Sequence, residues 1–327
     1  MLNIIIPTYN AIETLPKALD SLIAQTSNKF FVTVVQDCDG KDYSRIIKKY
    51  KDFGLKINLI STKSNGGPGI ARQTGLDANK MCDYVMFMDA DDMLLPNAVE
   101  YLYHAAKANN ADVVKSGILA EVQDGLIANY EPHNTPCQWH HGKIYRAQYI
   151  RDIGLRFIDS LRYCEDSYFN VVACNATENI YSLPYDTYLW RNNNQSITRK
   201  KDSEYNTDEK GMIGYMHSQV EGVKKLLEIQ ENLGRKISIG LIACTVCNIY
   251  SAHMKIIGSG YNADEYYNDF LQLKNNDFFI EMLKSEEFWD TIEQHLKCCE
   301  TYNDNLIFYS IKFNDWMKEI LDKVYED

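Results

Sequence analysis

Tyr84-Val85-Met86-Phe87-Met88-Asp89-Ala90-Asp91-Asp92 is an apolar run that stops abruptly in three carboxylates. A short apolar stretch bounded by polar residues reads as a buried strand rather than a helix. Alternate side chains on an extended backbone share a face, which predicts Asp89 and Asp91 side by side at the carboxyl end. Paired carboxylates there suit a hard divalent cation, Mn2+ or Mg2+, which takes oxygen ligands. A plainer reading makes Asp91 or Asp92 the cap of a helix starting near Pro96-Asn97.

Three further segments follow the same plan. Leu2-Asn3-Ile4-Ile5-Ile6 reads as a strand that breaks at Pro7-Thr8-Tyr9-Asn10 and feeds a helix over residues 12–25. Phe31-Val32-Thr33-Val34-Val35 reads as a second strand, ending in Gln36-Asp37-Cys38-Asp39-Gly40. Leu55-Lys56-Ile57-Asn58-Leu59-Ile60 reads as a third, followed by Asn65-Gly66-Gly67-Pro68-Gly69 and a helix over residues 70–80. Strand, polar loop and helix at this spacing predict an α/β fold with a mostly parallel central sheet. Ligands of such sheets bind outside the carboxyl ends of the strands, where all four polar clusters fall.

With those segments in view, the chain resembles the family 2 glycosyltransferases of the Rossmann-like GT-A (nucleotide-diphospho-sugar transferase) fold. The matching segments are Pro7-Thr8-Tyr9-Asn10, Val34-Val35-Gln36-Asp37, Asn65 to Gly75 and Asp89-Ala90-Asp91-Asp92. His141-Gly142-Lys143-Ile144-Tyr145-Arg146, Glu165-Asp166 and Ser196-Ile197-Thr198 extend the match over about two-thirds of the chain. The resemblance implies an inverting hexosyltransferase that moves one sugar from a UDP-sugar to a hydroxyl of a surface glycan or lipid-linked acceptor.

The resemblance also implies site residues. Pro7, Tyr9, Asp37, Gly67, Arg72, Asp89, His140, His141 and Arg199 are expected around the nucleotide sugar. Tyr9 offers a flat surface for uracil and Asp37 an acceptor for its ring N–H, although Gln36 stands where the family usually carries another acid. The glycines let the backbone approach a ligand closely, and Arg72 on the first turn of the next helix is expected near the diphosphate or a sugar hydroxyl. Asp91 is expected to ligate the metal, with Asp89 beside it. Asp166 is expected to be the general base, since inverting transfer needs a carboxylate to take the acceptor proton, with Glu165 next to it. At a helix start both acids also answer the helix dipole.

Composition narrows the partners. The 327 residues carry a formal charge of −11 and a hydrophobic content of 45%. That charge disfavours a partner held mainly through phosphates, such as nucleic acid. The segment beginning at His141 is similar to bacteriophage proteins, which leaves a modified base in DNA as an alternative acceptor; a non-catalytic nucleotide-sugar-binding protein is the other alternative. Nine cysteines without a disulfide framework, and a strand at Leu2 in place of a leader, predict a cytoplasmic protein. Residues 240–257 form the most apolar long stretch, but Asn248, Ser251 and His253 interrupt it, so a buried helix is expected rather than a membrane span. The transferase domain is expected over residues 1–200. Residues 201–327, where Met216, Val220, Val223 and Leu227 recur at helical spacing, are expected to form a helical C-terminal region with an aromatic core.

Overall fold

The computed structural model describes residues 1–79, 81–123, 126–131, 139–193, 208–302 and 311–325. The chain divides into two compact units, Met1–Arg199 and Lys200–Asp327.

The first unit opens with β1 (Leu2–Thr8), α1 (Leu15–Ile23), β2 (Phe30–Gln36), α2 (Ser44–Asp52), β3 (Ile57–Ser61), α3 (Pro68–Ala78) and β4 (Tyr84–Phe87). It continues with β5 (Met93–Leu94), α4 (Ala98–Ala108), β6 (Val113–Gln123), β7 (Leu126–Glu131) and β8 (Lys143–Arg146). It ends with α5 (Ala147–Asp152), α6 (Glu165–Asn175) and β9 (Ile180–Trp190). The strands form one sheet in the order β3-β2-β1-β4-β8-β6-β9-β5, with β7 paired to β6. The first four in that order are mutually parallel. Beyond them the sheet is mixed: β8 runs antiparallel to both β4 and β6, whereas β9 runs parallel to β6.

The chain moves outward from β1 to β2 and β3, then returns to lay β4 on the other side of β1. That reversal opens a crevice between the loops after β1 and β4, where open α/β sheets bind ligands. Both faces of these strands are covered, as parallel sheets require. Ile4, Ile6 and Met86 pack among Leu15, Leu19 and Leu102 on one side. On the other, Phe87 meets Phe157 and Phe169 edge-on, each with ring centroids 5.3 Å away. Gly75 of α3 allows the helix to lie this close, because a Cβ there would come within 2.5 Å of Ile5 Cγ2.

The strands agree with the expected ones to within two residues. The helix expected over 12–25 is shorter, Leu15–Ile23. β1 does not break at Pro7: it runs on through Thr8, and β4 pairs only as far as Ile5. Pro7, which has no N–H to give, thus lies beyond the doubly paired part of the strand. The expectation that Asp89 and Asp91 alternate along an extended strand is corrected. β4 ends at Phe87, the Met88 N–H reaches Ile5 O at 3.1 Å, and the chain then turns so that the Asp92 N–H donates to Asp89 O at 3.2 Å. Nor does either acid cap the next helix, whose N-cap is Asn97.

The second unit is helical among the described residues: α7 (Asp208–Leu233), α8 (Ile239–Gly258), α9 (Asp264–Leu271), α10 (Asp277–Leu283), α11 (Glu286–Tyr302), α12 (Phe313–Trp316) and α13 (Lys318–Val324). Met216, Val220, Val223 and Leu227 are all buried, as their spacing requires. Phe270, Phe279 and Phe288 are fully buried, and Trp316 stacks on Phe270 with centroids 4.7 Å apart, so these aromatic rings are core. By length and composition α8 is apolar enough to cross a membrane, but 61% of its apolar window is buried within the protein.

Candidate active site

The loops at the carboxyl ends of β1, β2, β3 and β4 converge. Tyr9, directly after β1, is 57% exposed and offers its ring to solvent. Asn10 and Cys38, on the first two loops, both take positive φ although neither is glycine. The Asn10 N–H donates to Asp39 Oδ2 at 2.7 Å, tying the two loops together. Asp37 is buried and heavily engaged. Its Oδ1 accepts from Thr62 Oγ1 at 2.9 Å and from the Gly66 N–H at 3.0 Å, and its Oδ2 accepts from the Gly67 N–H at 2.8 Å. A carboxylate has about four lone-pair sites, so Asp37 retains about one for a ligand while shaping the glycine loop. Gly67 is the residue before α3, at φ +84°, a conformation that side chains rarely adopt.

Arg72 joins two of the acids expected at the site. Its guanidinium is buried between two acids, with Nη1 2.6 Å from Glu165 Oε1 and Nη2 2.7 Å from Asp89 Oδ1. It therefore bridges the loop after β4 to the start of α6. Cys164, the residue before α6, adopts a left-handed conformation at φ +56°. Such strain in a non-glycine residue persists only where surrounding contacts enforce it, and it often marks functional sites. It turns the chain so that Glu165 faces Arg72 while Asp166, with 21% of its side chain exposed, lies beside His140.

His140 is buried, with Nε2 3.4 Å from Asp89 Oδ1 and Nδ1 4.0 Å from Asp166 Oδ2. Among the described residues neither ring nitrogen has a hydrogen-bond partner. His141 Nε2 lies 3.4 Å from Asp89 Oδ2, and its ring packs against Tyr188 at 4.8 Å. Asp89, His140 and His141 together form a set of donors that fits one cation, each offering an atom within 4.8 Å of the others. Asp91 stands outside that set and accepts from Asn193 Nδ2 at 2.8 Å. Arg199 lies outside the described residues.

Burial and mutual charge tune these groups apart. Burial would raise Asp89, but His140 and the Arg72 guanidinium override it and hold the carboxyl well below the usual range. Burial raises Asp91, with the charge of Asp89 adding to it. Burial pushes Asp92 up to about 8 against the pull of His141, and Glu165 up to about 7 against the pull of Arg72. Asp166 is likewise raised by burial, with Arg72 and His141 opposing. Burial, together with the charge of Arg72, lowers His140 to about 3 against the pull of Asp89, whereas contacts with Asp89 outweigh burial and raise His141. Pairs of acids pushed to different values are the pattern expected where proton transfer and charge stabilisation are divided between neighbours.

Asp92 and Tyr188 belong to the site although the sequence did not single them out for it. Asp92 Oδ2 accepts from the Tyr188 hydroxyl at 2.7 Å, and its Oδ1 accepts from the Arg191 N–H at 2.9 Å. The same hydroxyl accepts from the Asp89 N–H at 3.2 Å. β9 thus clamps the acidic turn from behind. The one available signal was the run Tyr188-Leu189-Trp190, whose aromatic residues favour a strand but do not name its partner.

Comparison with known proteins agrees with this arrangement. Residues 3–159 match the family described as glycosyl transferase family 2. An uncharacterized glycosyltransferase of Bacillus subtilis, EpsJ, is 28% identical over 218 residues, covering 61% of this chain and 63% of that protein. The poly(ribitol-phosphate) beta-N-acetylglucosaminyltransferase TarP of Staphylococcus aureus is 35% identical over 116 residues, 34% of this chain and 35% of that protein. The match thus spans less than two-thirds of the length of these relatives. The crystal structure of residues 1–349 of S. aureus TarS in complex with UDP-GlcNAc superposes with a TM-score of 0.65 at 18% identity, covering 92% of each chain. The crevice at the end of a parallel sheet, the acidic turn after β4 and these matches lead to one assignment: residues 3–159 form a glycosyl transferase family 2 domain, and the sheet-containing unit has the GT-A fold.

Proposed function

We propose that the protein transfers a single sugar from a UDP-sugar to a hydroxyl of a surface glycan or lipid-linked acceptor, with inversion at the anomeric carbon. The observation that carries this reading is the bridge from donor side to acceptor side: Asp89 and Glu165 grip one buried Arg72, and His140 lies between Asp89 and Asp166. Relatives named as glycosyltransferases, and the UDP-GlcNAc complex of TarS, support the donor class. The poly(ribitol-phosphate) and amylovoran transferases among the relatives support a surface-polymer acceptor. All cysteines among the described side chains are free, which fits a reducing, cytoplasmic setting.

In this reading Tyr9 supplies the surface against which the base lies, and Asp37 holds the glycine loop with one acceptor site left for the base. Asp166 takes the proton from the acceptor hydroxyl, its raised affinity for protons suiting a general base. Glu165 and Arg72 hold that base and Asp89 in fixed relation. A divalent cation, when bound at Asp89, would stabilise negative charge on the departing diphosphate.

A thermal-shift panel of nucleotide sugars, with and without Mn2+, tests the donor; one UDP-sugar should raise the melting temperature by mass action. Hydrolysis or transfer of that donor then establishes catalysis. No donor response at all would refute the reading. Tight, salt-sensitive binding to DNA would move the acceptor to a modified base.

A further inference from the structure

The chain as a whole is acidic, yet one helix concentrates positive charge on its outer side. We propose that α2, the adjoining Phe53 and the start of β3 form a docking surface for an anionic lipid bilayer. Phe53 enters between the headgroups and the lysines lie on them.

The charge is local and unpaired. Residues 45–56 hold Arg45, Lys48, Lys49, Lys51 and Lys56 against Asp52 alone, a net of +4, so the rest of the chain carries −15. All five cations are exposed. Among the described residues none of the five forms an ion pair within 4.0 Å, whereas Lys107, Arg146, Arg156, Lys224 and Lys225 each do. Asp42 feels the charge of Arg45 only at longer range. Salt screens charges over about 10 Å at 0.1 M, so a bilayer lying on α2 meets this patch rather than the distant acids.

The geometry is that of an interfacial segment. Ile47 and Tyr50 are buried on the inner side of α2, which leaves Arg45, Lys48 and Lys49, three and four residues apart, on its outer side. Phe53, the residue after α2, is 61% exposed. Its ring meets Tyr50 edge-on at 6.0 Å, and Lys49 Nζ lies 5.6 Å from its centroid. An apolar ring among lysines can sink to the acyl boundary while the ammonium groups stay at the headgroups. β3 is the outermost strand of the sheet, and a lysine there also deters strand pairing, but that need does not account for Phe53. Lys51 and Lys56, with Gly54 and Asn58, line a hollow of about 370 Å³ that has room for a phosphate headgroup.

The choice of cation separates a bilayer from nucleic acid. Four of the five are lysines. Lysine is a compact point charge suited to a diffuse anionic layer, whereas the arginine fork suits individual phosphates and base edges. The surface also starts at the crevice: Tyr43, just before α2, donates to Asp39 Oδ2 at 2.6 Å. Docking along α2 would therefore bring the crevice rim to molecules held in the bilayer.

The test is flotation of the full-length protein with vesicles of phosphatidylcholine, alone or mixed with phosphatidylglycerol. The protein should float with the mixed vesicles and not with phosphatidylcholine alone, and added salt should release it. Lys48→Gln, Lys49→Gln and Lys51→Gln should each weaken binding about fivefold, and Phe53→Ser about tenfold. Lys284→Gln and Lys318→Gln, in the second unit, should change little. Failure to float with the mixed vesicles would overturn the proposal, as would equal losses from those two control lysines. Binding of duplex DNA or soluble polyphosphate through the same lysines, without vesicle binding, would overturn it in favour of a soluble polyanion. The patch variants should keep the parent's melting temperature and its response to a UDP-sugar. A protein that floats but shows no donor response retains the docking surface and loses the transferase reading, so the two fail separately.

Discussion

Arg72 and Glu165, 93 positions apart in the chain, meet at 2.6 Å in a buried ion pair that also grips Asp89 through the other guanidinium nitrogen. A buried pair of this kind adds little over an apolar substitute, yet breaking one side of it is expensive. Arg72→Ala leaves the buried Glu165 and the partly buried Asp89 without their cation and should lower stability by ~3–5 kcal/mol in urea unfolding. Arg72→Lys should also destabilise, because one ammonium does not reproduce the two-pronged geometry. A lysine variant as stable as the parent would mean that the bridge contributes charge only.

Asp166 should separate chemistry from binding. Asp166→Asn keeps the shape of the side chain but cannot accept a proton. It should bind donor and metal nearly as well as the parent while losing transfer by roughly 10²-fold or more. An asparagine variant that is merely less stable, with turnover per folded molecule intact, would leave the acid with the helix terminus alone.

Asp37 is expected to act through the glycine loop as well as the base. Asp37→Ala abandons the N–H groups of Gly66 and Gly67 and the Thr62 hydroxyl, so it should cost ~1–3 kcal/mol of stability. It should also weaken UDP binding more than pyrophosphate binding. Equal losses for the two ligands would show that Asp37 serves the loop and does not touch the base.

Asp39 should give an acid-dependent stability. Burial opposes its ionisation, but hydrogen bonds from Tyr43, Gln36 and the N–H groups of Lys41 and Asn10 prevail and lower its pKa. A carboxyl lowered in the folded state contributes stability that is present above its unfolded value of about 3.9 and is lost as pH falls through the folded value. Asp39→Asn should therefore be less stable than the parent at pH 6, with the gap closing as the pH drops below about 4. A gap that stays constant down to pH 3 would remove ionisation from the account.

The parallel strands were legible because each is a short apolar run closed by a polar loop, and the convergence of those loops followed from their position at the carboxyl ends. Asp37, Arg72, Asp89, Glu165 and Asp166 were singled out by that route together with the family resemblance. Their pairing was not. Nothing local tells Arg72 to turn inward between Asp89 and Glu165, because its partners lie 17 and 93 positions away. The alternation argument failed at Asp89–Asp91 because hydrogen bonding to β1 ends at Met88, after which no neighbour keeps the backbone extended. Asp92 was read as a possible helix cap, whereas burial against Tyr188 and Arg191 decides its role. A carboxyl group beside a turn looks the same in sequence whether it faces water or a strand 96 positions further on.

That 96-residue span bears on how the protein is made. A ribosome releases Asp92 long before Tyr188 and Arg191, so the nascent sheet must hold a carboxyl group destined for burial while its donors are still unsynthesised. Long-range closures of this type slow folding, because loop entropy is lost before the contact forms. The segment shared with the family, residues 3–159, contains the acidic turn but not the strand that clamps it. A fragment cut there would contain Asp92 without its two donors and would lack Glu165 and Asp166 altogether. The smallest piece that retains the complete acidic turn therefore extends at least to Arg191, and expression trials should take that residue, rather than the end of the shared segment, as their inner limit.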